Sequence, residues 1–306
     1  MKILKISIFV IVLLNILGCD EDRFTSVKNI DFPEHKSLLA VTSNITITSD
    51  SSTIPQAFVS HSLGIIDERE YSLINDATVE LYKDGTLLYN LENLDNNGNY
   101  VGPVIQDFES GTYTMKVSAA NYDPIEAVQT VPSEANVVNS TYEFDKVPYD
   151  FDSDLYDLLN IKIADPEDEE NYYSFEVILE VKSQNGEIFD YPIGMESDDP
   201  LFEDSYYYPE NAFEYVLPDI SFNGKNYDIR LLQRTDWYRD NNEEVVGVRV
   251  LIYTLSKDSY TYEISRHLNY EAEDNPFAEP VLVHSNFEGG LGVFTINNVT
   301  SYRHEF

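Results

Sequence analysis

Apolar and polar residues alternate with a period of two along much of this chain, the period of strands with one buried face. In Ala77-Thr78-Val79-Glu80-Leu81-Tyr82, the residues Ala77, Val79 and Leu81 share a face. Tyr113-Thr114-Met115-Lys116-Val117 repeats the pattern. Leu38-Leu39-Ala40-Val41, Ile45-Thr46-Ile47-Thr48, Leu87-Leu88-Tyr89, Tyr100-Val101 and residues 125–131 add further short strands. Asp84-Gly85 and Asn97-Gly98 mark the turns between them, and Asp-Gly suits a type I′ hairpin. Short strands with turns this dense predict an antiparallel, immunoglobulin-like sandwich over residues 37–132, ended by Pro132.

A second β-rich domain is expected over residues 133–306, after a crossover at 133–154. Leu159-Asn160-Ile161-Lys162-Ile163 alternates, and in 172–181 the residues Tyr173, Phe175, Val177 and Leu179 share a face. Asn185-Gly186 turns the chain into 187–191, and Asn223-Gly224 leads into 227–232. Residues 198–210 read as a long loop. A strong strand covers 245–255, and Gly292-Val293-Phe294-Thr295-Ile296 is the last. One segment changes period: Tyr260, Ile264, His267 and Leu268 recur at helical spacing, with Ser256 or Asp258 as N-cap and Asn275-Pro276 as stop. The predicted fold class is all-β and mainly antiparallel, with one helix near 257–272.

The order Ala-x-Val-x-Leu-Tyr, Asp-Gly, Asn-Gly-x-Tyr, Gly-x-Tyr-x-x-x-Val, Asn121-Tyr122 resembles transthyretin-like and carboxypeptidase-regulatory-like modules. That resemblance implies glycine-shaped hairpins, tyrosines covering a core, and a structural or binding role.

The first residues follow another rule. Lys2 and Lys5 precede a nearly unbroken apolar run at 6–14, then Ile16-Leu17-Gly18-Cys19. The run is short for a membrane span and right for a secretory signal. A small residue directly before cysteine matches a lipobox. Residues 1–18 are therefore expected to be a lipoprotein signal peptide, with Cys19 lipidated and residues 19–36 a tether. Cys19 is the only cysteine, so the chain has no disulfide and no second thiol. Several acyl chains on one residue would anchor it firmly. Asp20-Glu21-Asp22 resembles the Bacteroidota signal that sends lipoproteins to the outer face of the outer membrane, so an outer-membrane position facing the exterior is expected.

Charge narrows the partners. With 19 basic and 55 acidic residues the formal net charge is −36. Such a surface repels phosphate backbones, and no nucleic-acid partner is expected. Acidic disordered chains lack aromatics, whereas this one carries 23 Tyr and 16 Phe, enough for real cores.

The C-terminal half carries Asp198-Asp199-Pro200-Leu201-Phe202, then Phe222-Asn223-Gly224-Lys225-x-Tyr227, the 260–268 helix and Asn275-Pro276-Phe277-x-Glu279-Pro280. It ends with Ser285-Asn286-x-x-Gly289-Gly290-Leu291-Gly292-Val293-Phe294. Together these resemble a Bacteroidota lipoprotein family described as a domain of unknown function and often encoded beside TonB-dependent outer-membrane transporters. The resemblance implies a β-rich lipoprotein, an accessory to such a transporter, and no assigned chemistry.

Candidate sites are few. Asp150, Asp152 and Asp154 alternate and could offer calcium three carboxylates, but an EF-hand needs glycine and glutamate where Leu155 and Ile161 stand. No other cofactor is implied. Gly289-Gly290-Leu291-Gly292 precedes a strand rather than a helix, so it reads as a packed turn and not a phosphate cradle. The five histidines are scattered without His-Glu-x-x-His, and Ser60-His61-Ser62 lacks a nucleophile elbow. Tyr206, Tyr207 and Tyr208, with Trp237 and Tyr238, are the candidate ligand-binding aromatics, since exposed rings stack on sugars and anchor interfaces. The expectation is a non-enzymatic surface lipoprotein binding a ligand or partner beside a TonB-dependent transporter. A glycan-binding or adhesive lipoprotein is the alternative, and a hydrolase with an unrecognised carboxylate site is the third reading.

Overall fold

A computed structural model describes residues 35–48, 52–64, 73–148, 155–197, 199, 201, 215–234, 243–273 and 278–306. Cys19, Asp150, Asp152, Asp154, Tyr206, Tyr207, Tyr208, Trp237 and Tyr238 lie outside the described residues. Residues 37–306 form one compact unit, all-β with a single helix among the described residues.

Fifteen strands are found among the described residues. The first group is β1 (Leu39–Ile47), β2 (Gln56–His61), β3 (Thr78–Lys83), β4 (Thr86–Asn93), β5 (Asn99–Val101), β6 (Thr112–Ser118) and β7 (Ile125–Thr130). The second is β8 (Val137–Pro148), β9 (Leu155–Ala164), β10 (Tyr172–Lys182), β11 (Ile188–Ile193), β12 (Tyr215–Pro218), β13 (Asn226–Arg234) and β14 (Glu244–Leu255). After β14 come the helix α1 (Lys257–Glu273) and the last strand β15 (Leu291–Glu305).

One long sheet runs β11-β10-β14-β15-β1-β2-β5-β4-β3-β6-β7, with β12 added to β10. Strand β4 is its corner. Residues 86–91 pair with β3, and Glu92 and Asn93 pair with β5. The sheet thereby folds over itself, and β1, β2 and β5 share a core with β3, β6 and β7. Val41, Ile45, Val59, Val79, Leu81, Met115 and Val117 fill it. The predicted alternation is the reason: β1 buries Val41, Ile45 and Ile47 and exposes Thr42 and Asn44.

The second core lies under a separate sheet, β13-β9-β8. Ile161 and Ile163 of β9 and Ile229 and Leu231 of β13 pack against Phe175, Val177 and Leu179 of β10 and Val248 and Val250 of β14. Strand β8 occupies a stretch expected as crossover. It is an edge strand, mostly exposed, and its ladder to β9 shifts register twice, so its sequence never alternates cleanly.

Strand β15 belongs to both halves. Residues 291–298 pair in parallel with β1, and residues 297–305 pair antiparallel with β14. Phe294 and Ile296 enter the first core. This is the one parallel ladder among the described strands. The close seam explains two glycines of the Gly289–Gly292 run. Gly292 has φ +100°, and a Cβ there would sit 1.9 Å from the Val41 carbonyl oxygen. A Cβ on Gly290 would come within 2.7 Å of Ile125.

Helix α1 begins where expected. Ser256 is its N-cap, its Oγ accepting the Ser259 N–H at 3.2 Å. Asn297 Oδ1 in turn accepts the Ser256 N–H.

Candidate functional site

The outer face of the first region carries an open groove of about 610 Å³. Its floor is the polar side of the alternation that builds the core. Thr42, Asn44 and Thr46 point outward from β1, and Gln56 and Phe58 from β2. The register sets Thr42 opposite Phe58, and Phe58 opposite Asn99 of β5. With strands about 4.8 Å apart, one ring is flanked on both sides by hydrogen-bonding side chains. Phe58 is 37% exposed, and Ile54 and Val104 at the groove wall are 43% and 58% exposed.

The walls are held by short-range bonds. Thr53 and Ile105 exchange both backbone hydrogen bonds, and Gly102 N–H donates to the Pro55 carbonyl. Ser43 Oγ donates to the Gln56 carbonyl from beneath. Asn44 Oδ1 accepts from Asn297 Nδ2 at 3.2 Å, which leaves Asn44's own N–H donors unused by that bond. Among the described residues, none of the twelve lining the groove is charged.

A second cluster lies where α1 meets β7. Asp258 accepts from Gln129 Nε2, and His284 Nε2 stands 2.7 Å from its other oxygen. Burial works to raise the Asp258 carboxyl, but bonds from His284, Asn286 and Gln129 outweigh it and hold it below the usual carboxylate range. Three separate chain segments meet there, so the cluster acts as a clasp. The remaining histidines are placed individually. His267 is buried on α1, as its place in the apolar stripe predicts. His61 Nδ1 lies 2.7 Å from Ser37 Oγ. His304 lies 2.9 Å from Ser140 Oγ, and burial holds its imidazole below its ordinary value.

The described residues of the motifs read from the C-terminal half are architectural; Asp198, Pro200, Phe202 and Asn275-Pro276-Phe277 lie outside the described residues. Asn286 imitates a strand: its Nδ2 donates to the Phe294 carbonyl and its Oδ1 accepts the Phe294 N–H. Phe222 is buried and stacks on Tyr227 at 4.5 Å, while Gly224 at φ +72° presents its N–H to Asp165 Oδ2. Tyr227 donates to Asp199 at 2.6 Å, and burial pushes its hydroxyl pKa up. The groove was not anticipated from sequence. Its only signal is the polar face of Thr42-x-Asn44-x-Thr46 with Gln56-x-Phe58, which resembles any solvated strand face.

No curated protein sequence matches the chain. Among solved structures, the adhesin InvE of Yersinia pseudotuberculosis is 13% identical over 73% of this chain and 56% of its own, with a TM-score of 0.21. The full-length major pilin SpaD from Corynebacterium diphtheriae is 14% identical over 76% of this chain and 63% of its own, with a TM-score of 0.19. The chain thus spans less than two thirds of either protein's length. Residues 27–303 match the family model described as a domain of unknown function, DUF4249, and the chain belongs to that family.

Proposed function

We propose that this protein is a lipid-anchored binding protein of the outer membrane that holds a ligand or partner on its β framework without transforming it, working beside a TonB-dependent transporter. Cys19, behind its lipobox, would carry the lipid, and the acidic residues after it favour the outward face. The observation that carries the binding role is the open groove across β1, β2 and β5, whose polar side chains and exposed ring face solvent while the same strands pack a core beneath. A rigid sheet presenting side chains in fixed register is suited to recognition, because little is left to order on binding. The acidic surface argues against nucleic acid, and no cofactor is needed for this role.

The test is recovery of tagged full-length protein from gently solubilised outer membranes, read by mass spectrometry. A transporter in stoichiometric amount is the expected result. Repeated recovery of this protein alone would remove the transporter from the reading and favour an adhesive surface protein acting by itself.

A further inference from the structure

The binding role proposed above leaves the ligand open, and the groove narrows it by chemistry. We infer that the groove across β1, β2 and β5 takes a neutral oligosaccharide, with Phe58 as the stacking platform.

Charge is the first reason. The chain carries 55 acidic and 19 basic residues, yet among the described residues the groove lining has none. A phosphorylated, sulfated or uronic ligand would approach a strongly acidic protein and find no cation to meet it. A cationic ligand would find no carboxylate among the described residues of the lining. The groove suits a ligand without net charge.

The second reason is the kind of contact on offer. Strand β1 is hydrogen-bonded to β15 and β2, and β2 to β1 and β5. Strand β5 is bonded to β2 and β4. Around Phe58 the floor is paired on both sides, with Thr42 of β1 and Asn99 of β5, so an extended peptide finds no free backbone there, whereas β1 pairs with β15 alone over Ser43–Ile47. Recognition at Phe58 therefore runs through side chains. Those are hydroxyls and amides, Thr42, Asn44, Thr46, Gln56 and Asn99, placed around one exposed ring. A pyranose has this pairing of surfaces: a ring face of C–H groups to lie on an aromatic, and a rim of hydroxyls that both donate and accept. Amides match that rim because each also donates and accepts.

Full-length protein in mild detergent would be titrated calorimetrically with neutral malto-, cello-, xylo- and manno-oligosaccharides, and with oligogalacturonate as the charged comparator. Binding of at least one neutral series and not of oligogalacturonate is expected. Phe58→Ala should weaken that binding about tenfold, the scale of one lost aromatic contact. Phe58→Tyr should keep it, and Gln56→Ala should cost several-fold. Phe58 points away from the core, so melting temperature should hold. If Phe58→Ala fails to fold, Phe58→Tyr and Gln56→Ala decide. Absence of binding to all four neutral series at millimolar concentration, preference for oligogalacturonate, or binding unaltered in Phe58→Ala and Gln56→Ala would each overturn the inference. A transporter recovered with a protein that binds no sugar removes this inference alone. Sugar binding without a transporter removes only the transporter.

Discussion

The two halves of this molecule solve burial differently. The first core holds hydrophobic side chains, and the buried polar residues of its strands, Ser43, Gln129, Thr295, Asn297 and Asn298, are uncharged. The second half buries four carboxylates, Asp157, Asp165, Glu180 and Asp219. Each has a named partner. Asp157 accepts from Tyr142 and from the Asp145 N–H, and Asp165 from Tyr173 and the Gly224 N–H. Asp219 accepts the Asn171 N–H, and Glu180 receives Arg303. Burial still pushes the Asp219 carboxyl up. Apolar packing tolerates many equivalent solutions, whereas a buried carboxylate admits only the geometry that satisfies it. The first half therefore has sequence freedom left for its outer polar face, while the second spends its polar residues on its own interior.

Three experiments can break or sharpen that contrast. The largest effect is expected where the halves are joined. Gly292→Ala would force a Cβ against the Val41 carbonyl in the β1–β15 seam and should destabilise by about 4 kcal/mol or prevent folding. Urea unfolding measures it. If the seam is the true joint, the wild-type protein unfolds in one transition; two separated transitions would show the halves to be independent.

Next comes the carboxylate network. Arg303→Ala leaves Glu180, 7% exposed, without its cation. The expected loss is about 2 kcal/mol, below the usual cost for a fully buried pair because Arg303 is itself partly exposed. Glu180→Gln on top of it should recover much of the loss. A single variant as stable as wild type would show that the second half does not depend on its buried charges.

The smallest effect concerns pH. Burial depresses the His304 imidazole, so the unfolded chain takes up its proton first as pH falls. The stabilisation is complete above about pH 6.5, the ordinary histidine value, and is lost as pH falls through the lowered folded value. His304→Gln should flatten this slope, reducing by about 2 °C the drop in melting temperature between pH 7.5 and 5. An unaltered slope would assign the acid sensitivity to other groups.

How much was legible in sequence divides along the same line. Asp84 and Gly85 take φ of +48° and +80°, as the hairpin read from Asp-Gly requires. Gly98, Gly186 and Gly224 also lie at positive φ in their predicted turns. The helix and its Ser256 cap follow from local spacing and chemistry. Three things did not follow. Strand β8 lies exposed at an edge, where nothing imposes alternation. Strand β15 extends nine residues past Ile296, through Asn297 and Asn298, polar residues that read as a strand end but are buried in the fold. The groove was silent because a binding face and a solvated face are written with the same threonines and asparagines. Only register brought Thr42, Phe58 and Asn99 into one row.

The pairing of β1 with β15 also fixes an order of events. Ser43 and Thr295 touch although they stand 252 positions apart in the chain. A ladder between such distant segments forms late, since a long loop must close before any of its contacts forms. Strand β1, the earliest of the described strands to leave the ribosome, therefore waits for the latest. Hairpins such as β3–β4 can close locally meanwhile, but the groove's own floor keeps one open edge until the final strand arrives. The groove is thus among the last parts of the molecule to be finished, and a chain cut short before residue 291 would present β1 as an exposed edge, prone to pair with another copy.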